Sequence, residues 1–189
     1  DILILTELQA GRLRAQPELF NVRGLLHELR VRFLPLAQEK GLFFNLDAGM
    51  DLPDMVCGDR RKLAMCLSYL LDNAIKFTHH GGVLLTVRTR QPAAPQPGLT
   101  FSVRDSGIGF ACLDDAVLYQ RFFQVDGSMS REYGGLGIGL SICRKLARLI
   151  DGQLRHESRP GEGSCFELSL TTPVPSSVAG GLLPGANRG

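Results

Sequence analysis

Apolar residues recur along this chain at two periods, one helical and one strand-like, and the switches between them mark its elements. Ile2, Leu5 and Leu8 follow a helical spacing that Gly11 ends, so residues 1–13 read as the end of a preceding helix. After Pro17, Leu25, Leu29 and Phe33 share one helical face, and Asn21 is placed to cap it. A strand follows at Leu42–Leu46. Asp59 then opens the strongest helix, whose broad apolar face of Leu63, Leu67, Leu70, Leu71, Ala74 and Phe77 stops at Gly81-Gly82.

Val83–Thr89 and Leu99–Val103 read as strands, and the Pro-rich segment between them cannot hold a ladder, so the pair is a hairpin with a long loop. An irregular Gly-rich stretch covers 105–137, and a further helix runs to Ile150, where Asp151-Gly152 closes it. Gln153–Glu157 and Ser164–Leu170 are the last strands, joined by a turn around Pro160–Gly163. From Pro173 the chain is rich in Pro, Gly, Ser and Ala, and a disordered tail is expected over 173–189. Mostly antiparallel strands with about three helices predict an α+β fold, a two-layer sandwich whose mixed sheet is covered on one face. Strand and helix do not alternate strictly enough for a doubly wound sheet.

Composition narrows the function classes. The 189 residues are 44% hydrophobic and 21% charged, as in ordinary globular domains, and carry a net charge of only +2. No Lys/Arg cluster marks a nucleic-acid surface, and no apolar run approaches the ~20 residues of a membrane-spanning helix. Five scattered cysteines without C-x-x-C spacing point to a reducing, cytoplasmic compartment, with neither zinc site nor disulfide scaffold. The chain begins without Met and is expected to be a piece of a larger protein.

Four separated segments have the chemistry of a nucleotide site. In the first, Asp72-Asn73-Ala74-Ile75-Lys76-Phe77-Thr78, an amide oxygen at Asn73 can ligate Mg²⁺ while the Lys76 ammonium meets phosphate oxygens. In the second, Asp105-Ser106-Gly107-Ile108-Gly109, a carboxylate at a strand end can accept from an exocyclic amine, and glycines admit a flat base. The third, Gly134-Gly135-Leu136-Gly137-Ile138-Gly139-Leu140, leads into a helix and leaves backbone N–H groups open to an anion. It is neither a Walker loop nor a Rossmann fingerprint. The fourth is Gly161-Glu162-Gly163-Ser164, between the last strands. Each alone also reads as an ordinary helix end or turn.

In this order the four segments resemble the Asn box and glycine boxes of the catalytic domain of sensor histidine kinases, within the superfamily shared with gyrase, Hsp90 and MutL. Tyr119, Phe122, Gln124 and Asp126 add a stretch similar to that family's "FxxFxQxD" box. The resemblance covers about Phe20 to Thr171 and implies a Bergerat-type ATP-binding fold with ATP and Mg²⁺ as cofactors. It makes Asn73 the Mg²⁺ ligand and Lys76 a phosphate contact, both in the catalytic role. Asp105 would take the adenine amine, with Gly107, Ile108 and Gly109 beside the base. Phe122, Gly135, Leu136, Gly137, Ile138, Gly139, Leu140 and Ser164 would complete the nucleotide site, the glycines of the third segment acting as lid hinges. It also divides the chain into the end of a dimerisation helix with linker (1–16), the catalytic domain (17–172) and the tail (173–189).

The activity implied is transfer of the γ-phosphoryl group to a histidine on an upstream phosphoacceptor domain. Partners are that domain, a response-regulator receiver domain and, in one version, a second sensor kinase; the parent would be a homodimer and this piece a monomer. Membrane anchoring of the parent stays open. His27-Glu28-Leu29-Arg30 mimics a phosphoacceptor box, but the interval to Asn73 must also hold a strand, so His27 is read as a residue of the first helix. His156 reads as a strand surface residue. Two departures matter. Tyr69 stands where similar proteins carry Asn and Leu136 where they carry Thr, which keeps open a degenerate domain that holds nucleotide, or none, and works by pairing with a kinase. An anti-sigma serine kinase of the same fold is the third reading.

Overall fold

The computed structural model describes residues 2–90, 98–111, 118–119 and 138–171. Among these, three amphipathic helices cover one face of a five-stranded sheet. In chain order the elements are α1 (Ile2–Gln9), β1 (Glu18–Asn21), α2 (Val22–Glu39), β2 (Phe43–Ala48), β3 (Met55–Gly58) and α3 (Arg60–Lys76). They continue with β4 (Gly82–Arg90), β5 (Gly98–Asp105), α4 (Gly139–Leu149), β6 (Gln153–Arg159) and β7 (Gly163–Thr171). The sheet order is β2-β4-β5-β7-β6, with β2 parallel to β4 and the other neighbours antiparallel, so the expected mixed sheet in an α+β sandwich is present.

Period-two alternation sends Val83, Leu85 and Val87 of β4, Leu99, Phe101 and Val103 of β5, and Phe166, Leu168 and Leu170 of β7 to the helix side. There they join one buried cluster with Leu25, Leu29 and Phe33 of α2, Leu63, Leu67 and Leu70 of α3, and Ile142 and Leu146 of α4. Burial of each such side chain favours folding by ~1.5–3 kcal/mol, which makes this layer the main source of stability. The opposite face of the sheet is polar: Thr100 and Ser169 share a hydrogen bond of 3.2 Å across β5 and β7. No helix among the described residues is long and apolar enough to cross a membrane.

Side chains fix where the helices begin. Asn21 accepts the Gly24 N–H at 2.7 Å and starts α2. Asp59 starts α3 by accepting the Lys62 N–H at 2.9 Å, and its other oxygen takes the Lys62 ammonium at 2.6 Å and the Gln16 N–H at 2.7 Å. Burial alone would raise the Asp59 carboxyl, but these bonds and the Lys62 charge hold it below its usual value. The linker after α1 is thereby pinned to the start of α3.

β1 and β3 form a two-stranded antiparallel sheet beside the main one, which periodicity could not reveal in four-residue strands. Asp151-Gly152 closes α4 as expected, with Asp151 in the left-handed conformation at φ 55°. Gly152 is small for a packing reason: a Cβ there would lie 2.5 Å from Cδ2 of Leu170.

Candidate functional site

Asp105 ends β5 with only 9% of its surface exposed. Its Oδ1 accepts the Gly107 N–H at 2.9 Å and the Ser164 N–H at 3.3 Å. Burial pushes the carboxyl above the usual carboxylate range, while those two donors oppose the rise. With Oδ1 engaged, Oδ2 is the acceptor left for a donor outside the described residues.

The glycines of the second and fourth segments answer to the protein's own backbone. A Cβ on Gly107 would lie 2.3 Å from the Phe77 carbonyl oxygen. Gly109 and Gly163 have φ of 59° and 89°, and Cβ atoms there would meet Arg159 O at 1.9 Å and Asp105 O at 2.0 Å. Gly161 N–H donates to Ile108 O at 2.7 Å, closing the β6–β7 turn onto the Asp105 loop. The two segments are thus one unit, in which Ser164 also meets Ser158 at 2.9 Å through its hydroxyl.

That unit is tied to the end of α3, because Ile108 N–H donates to Phe77 O at 3.1 Å and Phe77 N–H to Asn73 O at 3.0 Å. Asn73 is half-buried, as is Lys76, whose ammonium stands 5.1 Å from the Phe77 ring and is lowered from its ordinary value by burial. Lys40 was not foreseen: its ammonium donates to Ile75 O at 2.6 Å and Lys76 O at 3.0 Å, satisfying carbonyls at the helix end. Asp72, beside Asn73, is raised by its partial burial, against the charge of Arg32.

Helices α3 and α4 pack antiparallel. Cys66 and Cys143, both fully buried, exchange contacts in which each thiol donates to the other's carbonyl, at 3.5 and 3.7 Å. One turn further along α3, a Cβ on Gly139 would lie 3.4 Å from Cδ1 of Tyr69. Asn73 follows Tyr69 on the same flank, ~6 Å further along the axis, and so lies beyond the first residue of α4. Unlike α2 and α3, α4 has no side-chain cap among the described residues at its start, where Ile138 is buried and Leu140 half-buried. Asp105, Asn73, Lys76, Gly107, Ile108, Gly109, Ser164 and the Ile138–Leu140 end of the third segment therefore share one end of the sandwich. Phe122, Gly135, Leu136 and Gly137 lie outside the described residues.

His156 is not a surface residue. It is half-buried in an aromatic group with Phe110, Phe166 and Tyr119, whose hydroxyl is 3.3 Å from His156 Nδ1. Alternation along β6 could have assigned it to the helix side.

A metal here would have one protein amide oxygen from Asn73; among the described residues no three His, Cys, Asp or Glu side chains form a metal cluster. Such a sparse donor set fits Mg²⁺, which keeps waters and takes its other ligands from phosphates.

The family model described as "Histidine kinase-, DNA gyrase B-, and HSP90-like ATPase" matches residues 58–174. The hybrid signal transduction protein dokA of Dictyostelium discoideum is 36% identical, over all of this chain and 12% of its own length. The signal transduction histidine-protein kinase BarA of Escherichia coli K12 is also 36% identical, over 88% of this chain and 18% of BarA. The chain thus spans less than a fifth of either protein. The crystal structure of full-length ShkA in complex with AMPPNP superposes with a TM-score of 0.80 at 28% identity, covering 92% of this chain and 35% of ShkA. This chain belongs to the family of histidine kinase-, DNA gyrase B- and HSP90-like ATPases.

Proposed function

We propose that the chain binds ATP with Mg²⁺ and passes the γ-phosphoryl group to a histidine on an upstream dimerisation and phosphoacceptor domain. The observation that carries this reading is the meeting, at one end of the fold, of a buried carboxylate, the Asn73–Lys76 turn and the start of α4. Asp105 Oδ2 takes the adenine amine, and Lys76 and the first N–H groups of α4 hold phosphate oxygens. Mg²⁺ on the Asn73 amide would neutralise phosphate charge as the bond to the leaving ADP breaks and the bond to the histidine nitrogen forms. The chain's own contribution is positioning and fixed charge.

On this reading residues 1–16, with α1, are the end of the dimerisation helix and its linker, and the domain works on the cytoplasmic side. A receiver domain takes the phosphoryl group next, in keeping with the relative named as a hybrid signal transduction protein. Adding ATP, Mg²⁺ and the acceptor domain should label the acceptor histidine, and Asn73→Ala should remove the label; a variant that still transfers would strip Asn73 of its role. Tyr69, which stands where the resemblance calls for an amide, favours a second reading, a module that binds nucleotide without transfer. Saturable ADP binding with no labelling of any acceptor would decide for it.

A further inference from the structure

Tyr69 is tied to the site by its place between Cys66 and Asn73 on the flank of α3 that faces the first residue of α4. On one side the reciprocal Cys66 and Cys143 contacts hold the helices together; on the other, Asn73 lies past the start of α4. The ring is half-buried and packed against the core, and it lies beside Gly139, the first residue of α4, where an added Cβ would stand 3.4 Å from its Cδ1. Burial raises the phenol, and Cys143, Cys66 and Asp72 raise it further, which disfavours the phenolate form.

We propose that Tyr69 is a positioning residue, a spacer whose ring sets the separation between Asn73 and the N-terminal turn of α4. This rests on the nucleotide reading above. If Mg²⁺ bridges Asn73 to phosphates held at the start of α4, that separation decides how much the metal adds to binding. Adenine recognition at Asp105, on the far side of the Phe77–Ile108 contact, does not depend on it.

The two halves of the site can therefore be read apart by titrating the chain calorimetrically with ADP, once with Mg²⁺ and once in EDTA. Tyr69→Phe keeps the ring and should keep the ratio of the two affinities within about twofold. Tyr69→Asn and Tyr69→Leu should each cut that ratio at least fivefold, with the EDTA affinity unchanged and the Gly139–Ile142 amides exchanging faster with solvent. If Tyr69 instead only displaces an amide ligand of the metal, Tyr69→Asn would raise the ratio, and the spacer role is wrong. Variants that lose thermal stability while keeping the parent ratio would reduce Tyr69 to packing, which also overturns it. A parent that binds no ADP under either condition removes the nucleotide reading and this role with it, whereas a binding parent with an unchanged ratio in the variants removes only the spacer.

Discussion

At Asp105 a single carboxylate carries a burial cost that the fold offsets only in part. It is buried, its carboxyl is raised by that burial, and two backbone N–H groups recover part of the loss. A carboxyl whose folded value lies above its unfolded one favours the fold below the unfolded value and loses that contribution as pH rises through the folded one. Asp105→Asn keeps an oxygen for Gly107 and Ser164 and never ionises. In urea unfolding at pH 7 it should be at least as stable as the parent, and the difference should shrink as pH falls through the raised range to the ordinary carboxylate value. An Asn variant clearly less stable at pH 7 would mean the carboxylate is a structural asset. Gly163→Ala belongs to the same scale: its left-handed φ and the 2.0 Å approach to Asp105 O should cost about 1–3 kcal/mol and disturb the carboxylate's setting. The sequence showed Asp105 and its glycines as a segment suited to a base, but not what the glycines answer to, since a close approach between residues 105 and 163 is a tertiary fact.

Elements were legible where periodicity was long. The seventeen residues of α3 carry both a cap and a continuous apolar face, so their helix followed from the sequence alone. β1 and β3 are four residues each, too short to show a period, and their pairing joins distant positions. Lys40 was invisible for the same reason, because its two carbonyl partners lie two strands and a helix away. The cap Asp59 was readable, whereas its ion pair with Lys62, with side chains 3% and 8% exposed, was not. Asp59→Asn separates the two functions, because Asn caps a helix as well as Asp does while leaving the ammonium unpaired. It should destabilise the fold by about 3–5 kcal/mol, and adding Lys62→Met should recover most of that. The pH dependence runs opposite to that of Asp105: the lowered carboxyl contributes above its unfolded value and loses that contribution as pH falls through the folded one. Acid titration of parent and variant would show the parent alone losing this increment.

Across the whole molecule, the sandwich and the order of its segments could be read in advance because each glycine segment falls at the end of an element. Their convergence could not: it depends on α3 and α4 packing antiparallel and on the β6–β7 turn folding onto the Asp105 loop. The account therefore stands or falls on a single binding site at that end. The direct test is a calorimetric titration of the chain with ADP and Mg²⁺, repeated on Asp105→Asn. The account predicts saturable one-to-one binding, weakened about ten- to a hundredfold in the variant, as expected for a hydrogen bond to a charged group of ~1.5–3 kcal/mol. Equal affinity of parent and variant, or no binding by the parent at all, would contradict it.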